Sequence, residues 1–249
     1  MEPIIEVKNL VKVFHSRGRV ITAVNDVSFE VFKGEIFGMI GPNGAGKSTT
    51  FSVLTTLLKP TSGSVKVAGF DVEKQDNKIR PLIGIVPQKL SLYPLLTARE
   101  NLELMGNLYN VPKKVMEEKI DYYLKLVGLE ASADRYTGGF SGGMKQRLSV
   151  ISAVIHDPEI LFWDEPSTGL DPQTRQAIWR LARKFNAEGK TLIFTTHYME
   201  EADNLCDRVA VMNLGKMVAL DNPESLKEKT GGKNLEEVFI HFTGEEVRD

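Results

Sequence analysis

In the first part of the chain, apolar residues recur at alternate positions. Residues 4–14, "IIEVKNLVKVF", and 20–31, "VITAVNDVSFEV", read this way on either side of the polar turn "HSRGR". Two such runs about a glycine-containing turn predict an antiparallel pair of strands. "GEIFGMIG" (34–41) is a short apolar strand running into a glycine-rich loop. "KSTTFSVLTTLLK" (47–59) is a predicted helix ending before Pro60, and "GSVKVAG" (63–69) and "IGIVPQ" (83–88) are further strands.

The period changes over residues 94–155. "TARENLELMGNLY" places Leu102, Met105 and Tyr109 at helical spacing, and Met116, Ile120, Tyr123 and Val127 follow at intervals of 4, 3 and 4, with Gly128 near the helix end. Met144, Leu148, Ile151 and Ile155 repeat the stripe. The methionines in these stripes read as core, and the charged run 113–119 as a solvated face. Strand and helix then alternate again. "EILFWDE" (159–165) is an apolar strand ending in acids. Asp171-Pro172 opens a helix with Ile178, Leu181 and Phe185 inward, Pro172 suiting its first position. "TLIFTTH" (191–197) is a strand, "DRVAVMNLGKMVAL" (207–220) a hairpin and "NLEEVFIHFTG" (234–244) a last short helix. Alternation of this kind implies an α/β fold with a mainly parallel central sheet.

Composition narrows this picture only a little. The 249 residues are 42% hydrophobic and 26% charged, an ordinary globular balance, and a net charge of −2 gives no support for a nucleic-acid partner. The single cysteine, Cys206, has no internal partner, which suits a reducing compartment. The opening "MEPIIEVKNL" lacks the basic-then-apolar form of a secretory signal. The apolar stretch "LSVISAVIHDPEILFW" is broken by His156, Asp157, Pro158 and Glu159, short of the roughly 18 residues of a membrane span. The expectation is a soluble chain that depends on another chain for any span.

The chemistry lies at two loops. "GPNGAGKST", comprising Gly41, Pro42, Asn43, Gly44, Ala45, Gly46, Lys47, Ser48 and Thr49, fits the G-x-x-x-x-G-K-[ST] phosphate loop between a predicted strand and a predicted helix. Its backbone N–H groups suit α- and β-phosphates, Lys47 reaches β/γ oxygens, and the Ser48 hydroxyl suits Mg²⁺. Asp164 ends an apolar strand, where it is placed to hold Mg²⁺, and Glu165 is placed beside it to polarise an attacking water. The second loop, "GGFSGGMKQRLSV" (138–150), also runs from glycines into a predicted helix, a second ready-made anion site.

Ser141-Gly142-Gly143 lies 23 residues before Asp164, His197 follows a strand 33 residues after it, and Gln88 ends a strand between the phosphate loop and the helical segment. This combination resembles the ATP-binding cassette (ABC) ATPases over about residues 4–220. The resemblance implies a P-loop ATPase core with an antiparallel β subdomain (1–93 and 156–220), an inserted helical subdomain (94–155) and a helical tail (221–249), whose acidic end "TGEEVRD" is expected to be disordered. It implies ATP and Mg²⁺ as ligands. Phe14 stands at the position of an aromatic that stacks on adenine. Gln88 matches a glutamine that contacts Mg²⁺ and water and couples to the membrane subunit, and His197 a switch histidine near the γ-phosphate. Family members work as head-to-tail dimers, which implies that Ser141, Gly142, Gly143 and Asp171 act in trans on the other subunit's ATP. Asp171 also suits the N-cap before Pro172. Met144 stands where the family usually has glutamine. His15, His156 and His241 match nothing.

"LYPLLTARENL", "FSGGMKQRLSV" and "LEEVFIHFTG" resemble the daunorubicin-resistance and ABCA-like branch, which implies an exporter ATPase, a homodimer when ATP-bound, held at the cytoplasmic face of a membrane by a separate permease. The competing reading is a soluble ABC-type ATPase of repair or translation. Against it, the interval between the two glycine loops is short and lacks a cysteine cluster, and the chain carries one cassette.

Overall fold

The computed structural model describes residues 2–16 and 18–244, so the stretch 245–249 of the tail's acidic end lies outside the described residues. In chain order the first elements are β1 (Pro3–Ser16), β2 (Arg19–Phe32), β3 (Ile36–Ile40), α1 (Lys47–Leu54), β4 (Ser62–Val67), β5 (Phe70–Asp71), α2 (Asp76–Ile79) and β6 (Ile83–Val86). Then come α3 (Ala98–Leu108), α4 (Lys113–Leu126), α5 (Gly142–Val154), β7 (Ile160–Asp164) and α6 (Pro172–Ala187). The chain continues through β8 (Thr191–Thr196), α7 (Met199–Leu205), β9 (Arg208–Asn213), β10 (Lys216–Asp221), α8 (Pro223–Thr230) and α9 (Leu235–Thr243).

Two sheets result. The first has the order β2-β1-β4-β5, every neighbouring pair antiparallel, as the alternating N-terminal runs require. The second has the order β10-β9-β3-β8-β7-β6, in which only the β9–β10 hairpin is antiparallel. The strands of its centre are buried on both faces, so they read as unbroken apolar runs. Their side chains divide by the period of two. Leu161 and Trp163 of β7 and Leu192 and Phe194 of β8 join the core shared with α3–α6, while Ile160, Phe162 and Ile193 join the core beneath the antiparallel sheet.

The helical stripes behave as their spacing predicts. Met116, Ile120, Tyr123 and Val127 are buried together with Leu148, Ile151 and Ile155, and Met144 packs half-buried against the same cluster. Thr97 caps α3 with a reciprocal box: it accepts from the Glu100 N–H, and Glu100 accepts from the Thr97 N–H. His156 stacks on Tyr109 at 3.7 Å and its Nε2 lies 3.0 Å from the Ile83 carbonyl, which joins α3 to the end of the sheet.

Two local expectations need correction. The helix expected over 47–59 ends at Leu54. Thr56 turns left-handed (φ 63°), and the N–H groups of Leu57 and Leu58 both return to the Ser52 carbonyl. The adjacent Thr55 and Thr56 are β-branched and hold a helix weakly. β6 stops at Val86, so Gln88 sits two residues beyond the strand. Three further helices, α2, α7 and α8, were not marked by any apolar stripe, being only 4, 7 and 8 residues long.

Candidate functional site

Parallel strands bring their C-terminal ends to one edge of the sheet, and ligands of open α/β sheets bind there. Ile40 of β3 lies opposite Thr196 of β8, and Thr195 lies opposite Asp164 of β7. The loop 41–49, Glu165 and His197 therefore leave adjacent strands at the same level, with Gln88 just past the end of β6 beside them.

The loop 41–49 wraps the start of α1. Ala45 donates to the Pro42 carbonyl (3.2 Å) and Thr50 to that of Gly46 (2.9 Å). Lys47 is 3% exposed, and its Nζ donates to the carbonyls of Gly41 (2.7 Å) and Pro42 (3.1 Å). Burial lowers the Lys47 pKa, while the carboxylates of Glu165 and Asp164 pull it back up. The loop opens on a cleft of about 390 Å³ lined by residues 43–49, Glu165, Ile21, Thr22 and Ala23 of β2, and Leu214 and Gly215 of the β9–β10 turn.

The acids stand behind Lys47. Thr195 Oγ1 donates to Asp164 Oδ1, and it also accepts the Glu165 backbone N–H at 3.1 Å. Burial raises the Asp164 pKa; the Thr195 hydrogen bond opposes this, Glu165 adds to it, and Lys47 and a hydrogen bond from Ser48 oppose it again. Glu165 is buried and adopts a left-handed backbone (φ 48°). Its Oε2 accepts from Gln88 Nε2 (2.9 Å) and Thr168 Oγ1 (3.2 Å). His197 Nδ1 lies 3.3 Å from the same oxygen without forming a hydrogen bond to it. Ser48, Asp164 and the carbonyl oxygen of Gln88 are all hard oxygen donors, the ligand chemistry of Mg²⁺. The anion-seeking loop and this donor set meet at one place, so the residues fit Mg²⁺ and a nucleoside triphosphate together.

The structure thus gathers Lys47, Ser48, Gln88, Asp164, Glu165 and His197, of which Lys47, Ser48 and Glu165 line the cleft itself. It does not bring Phe14 into the lining of the cleft. Phe14 pairs across the ladder with Ile21, which does line it, and its ring is capped by Lys12 Nζ at 5.2 Å. Nor do Ser141, Gly142, Gly143 and Asp171 line it. Ser141 caps α5 by accepting the Met144 N–H (3.3 Å), and Asp171 caps α6 by accepting the N–H (2.9 Å) and hydroxyl (2.6 Å) of Thr174. Both caps are exposed, and the two helix starts adjoin, since a Cβ on Gly143 would meet the Thr174 side chain at 2.9 Å. Sequence reasoning missed Thr195, Thr168 and the walls from β2 and the β9–β10 turn. The "NLGK" hairpin turn was a visible signal; its approach to the loop, where Gly215 donates to the Ala45 carbonyl at 3.1 Å, was not.

Residues 24–168 match the family model described as ABC transporter. The chain is 41% identical over 219 residues to a linearmycin resistance ATP-binding protein of Bacillus subtilis (strain 168), covering 88% of this chain and 70% of that protein. It is 44% identical over 216 residues to the Nod factor export ATP-binding protein I of Rhizobium sp. (strain N33), covering 87% and 71%. Among solved structures, an ATP-binding subunit of an ABC transporter superposes with a TM-score of 0.86 at 28% identity over 96% of this chain and 99% of that one. A dimeric ATP-binding cassette in a post-hydrolysis state with ADP and Pi superposes with a TM-score of 0.80 at 31% identity over 88% and 98%. With a phosphate loop, its acids and these likenesses in agreement, the chain belongs to the ABC transporter family as an ATP-binding, ATP-hydrolysing subunit that uses Mg²⁺.

Proposed function

We propose that the chain is the motor of an exporter and works from the cytoplasmic face of a membrane, docked on a separate permease. The Nod factor export name of one relative and the similarity of its signature and tail segments to the exporter branch support this direction. Among the described residues no helix is long and apolar enough to cross a membrane. The observation that carries the reading is the junction of Gln88, Glu165 and His197 at the sheet edge. It ties the loop after β6, which leads to the helical segment, to the acid beside the phosphate loop.

Each residue has a task there. Lys47 and the N–H groups of 41–49 bind and orient the phosphates. Ser48, Asp164 and Gln88 would hold Mg²⁺, which would supply charge neutralisation to the phosphates. Glu165 takes a proton from the attacking water, and its Oε2 is already held by Gln88 and Thr168. His197 steadies the γ-phosphate end, and Phe14, the ladder partner of the cleft residue Ile21, stacks on adenine when nucleotide is bound. Ser141, Gly142, Gly143 and Asp171 face outward and complete the cleft of a second copy in a head-to-tail dimer, where the N-terminus of α5 favours an anion. ATP then shifts the population toward the closed dimer, because it binds that state more tightly than the open one.

The test is purification of the native complex from membranes with Mg²⁺ and ATP. Recovery with a polytopic membrane chain, and ATP turnover stimulated by that chain, is the expected result. Recovery only with ribosomes or DNA-repair proteins would overturn the transport reading.

A further inference from the structure

Glu201 is a buried carboxylate to which the roles above assign nothing. It sits in α7, four residues after His197, and is 1% exposed. Its Oε1 accepts two hydrogen bonds, from Ser167 Oγ at 2.5 Å and from Trp179 Nε1 at 3.0 Å. Burying a carboxylate is costly unless its partners compensate. Burial raises the Glu201 pKa, and the hydrogen bonds from Ser167 and Trp179, with the nearby Thr196 hydroxyl, oppose that rise, while Oε2 has no hydrogen-bond partner. An apolar residue of the same size would fill the space, but it would leave the Ser167 hydroxyl and the Trp179 N–H without this acceptor.

What these donors belong to gives the arrangement its meaning. Ser167 is fully buried two residues after Glu165, in the turn that runs on to Asp171. Beyond Glu165, which Thr195 and Gln88 hold, the turn has its own local bonds, Thr168 N–H to the Glu165 carbonyl (3.2 Å) and Leu170 N–H to the Ser167 carbonyl (3.2 Å). Trp179 lies on α6, the helix that Asp171 caps. From the same helix, the Arg175 guanidinium sits 4.8 Å over the Tyr198 ring and 4.0 Å from Glu200, and the Tyr198 ring lies 4.2 Å from that of His197. The Glu165–Asp171 turn and the His197 segment leave different strands, and Glu201 is the buried group bonded to the turn and to α6 at once.

We propose that Glu201 is a positioning residue for ATP hydrolysis: by binding Ser167 and Trp179 it locks the Glu165–Asp171 turn to the segment that carries His197, and so sets how Glu165 and His197 face each other. The proposal rests on the reading of Glu165 as the proton acceptor. Glu201 touches no substrate; it acts through the backbone of the turn.

The experiment combines three single variants and one double variant with a measurement that needs no nucleotide. In the nucleotide-free protein, Glu201→Ala raises amide hydrogen exchange over residues 166–171 and 197–200 by about tenfold or more, while the amides of β3 keep their protection. In steady-state turnover, Glu201→Ala lowers kcat by about tenfold or more with KM for ATP within about threefold, the pattern of a defect in the chemical step. Glu201→Gln keeps an oxygen acceptor and holds kcat within about threefold of the parent. Ser167→Ala shifts exchange and kcat in the same direction as Glu201→Ala, and the double variant is no worse than Glu201→Ala alone, since the pair acts through one bond. Normal exchange and kcat in Ser167→Ala, equal losses in the Ala and Gln variants, additive losses in the double variant, or a raised KM at unchanged kcat would each overturn the proposal. Should Glu201→Ala fail to fold, Glu201→Gln and Ser167→Ala decide it. Glu165→Gln serves as the separate control: wild-type turnover in that variant removes Glu165 as proton acceptor, and the exchange results still decide whether Glu201 holds the turn.

Discussion

The loops 41–49 and 138–143 share a plan, glycines leading into the first turn of a helix, yet they are built in opposite ways. The first is packed from behind. Lys47 and Ala45 are buried, and a Cβ on Gly46 would fall 2.6 Å from the Ala23 carbonyl. The second is bare at its tip. Ser141 and Gly142 are exposed, and a Cβ on Gly142 would meet nothing within 4 Å. The loop's ends are held, by Phe140 buried beneath, by the Gly138 N–H donating to the Pro94 carbonyl (3.0 Å) and by Gly143 against Thr174. An anion site needs N–H groups and an enclosing wall that excludes water. The first loop has its wall in the same chain, from β2 and the β9–β10 turn. The second has donors and no wall, which is the form expected of half a site that another molecule completes.

The largest effect separates the chemistry from both loops. Glu165→Gln keeps the side chain's shape and its acceptor for Gln88 and removes the proton acceptor. Turnover falls by about 100-fold or more, the usual contribution of a general base, while ATP still binds. Phosphate release measured on the purified variant checks this, and near-normal release would break the assignment. Next is Lys47→Ala in the walled loop. It deletes a cation that contacts phosphate, and ATP affinity falls by about 10- to 100-fold, as for loss of a charged hydrogen bond. Calorimetric titration reads it directly, and unchanged affinity would show that the wall and N–H groups alone suffice.

Ser141→Arg sharpens the contrast from the bare side. The position is exposed, so the longer side chain fits, and loss of the α5 cap costs about 0.5–2 kcal/mol. Affinity of the monomer for ATP stays within about threefold, whereas the ATP-dependent dimer and turnover are lost, because an arginine occupies space the partner must enter. Light scattering with ATP in the Glu165→Gln background gives the result. A dimer that persists would mean that loop 138–143 faces something other than a second cleft.

The sequence showed the parts of this site more clearly than its joints. The phosphate loop, Asp164, Glu165 and His197 are local: each lies at the end of an apolar run, and the parallel register then aligns them without further instruction. Thr195 was hidden because a threonine at a strand end is ordinary until Asp164 is placed opposite it. Leu214 and Gly215 were legible as a hairpin turn, but a turn does not announce which loop it supports. Glu201 lies 34 residues from Ser167 in a helix too short to show a stripe. Thr56 ended α1 through a left-handed turn that the apolar pattern "FSVLTTLLK" conceals. Apart from Thr168, whose bond to Glu165 spans three residues, what escaped the sequence is a contact between segments distant along the chain, or a backbone angle that side-chain pattern does not encode.

The smallest expected effect tests the difference between the loops most directly, because it uses the same substitution in both. Gly46 has φ 101° and its Cβ position is occupied by the backbone of β2, so Gly46→Ala must strain its own dihedral and push against a carbonyl that cannot swing away. Unfolding free energy drops by about 1–3 kcal/mol. Gly142 is the first residue of α5, with no left-handed angle and open space around its Cβ position. Gly142→Ala there trades a flexible residue for a good helix former and changes stability by no more than about 1 kcal/mol, in the stabilising direction. Urea denaturation of the two variants without nucleotide measures both. Equal losses would mean that the second loop is as tightly held as the first, and its open face would then have to be explained by something other than a partner.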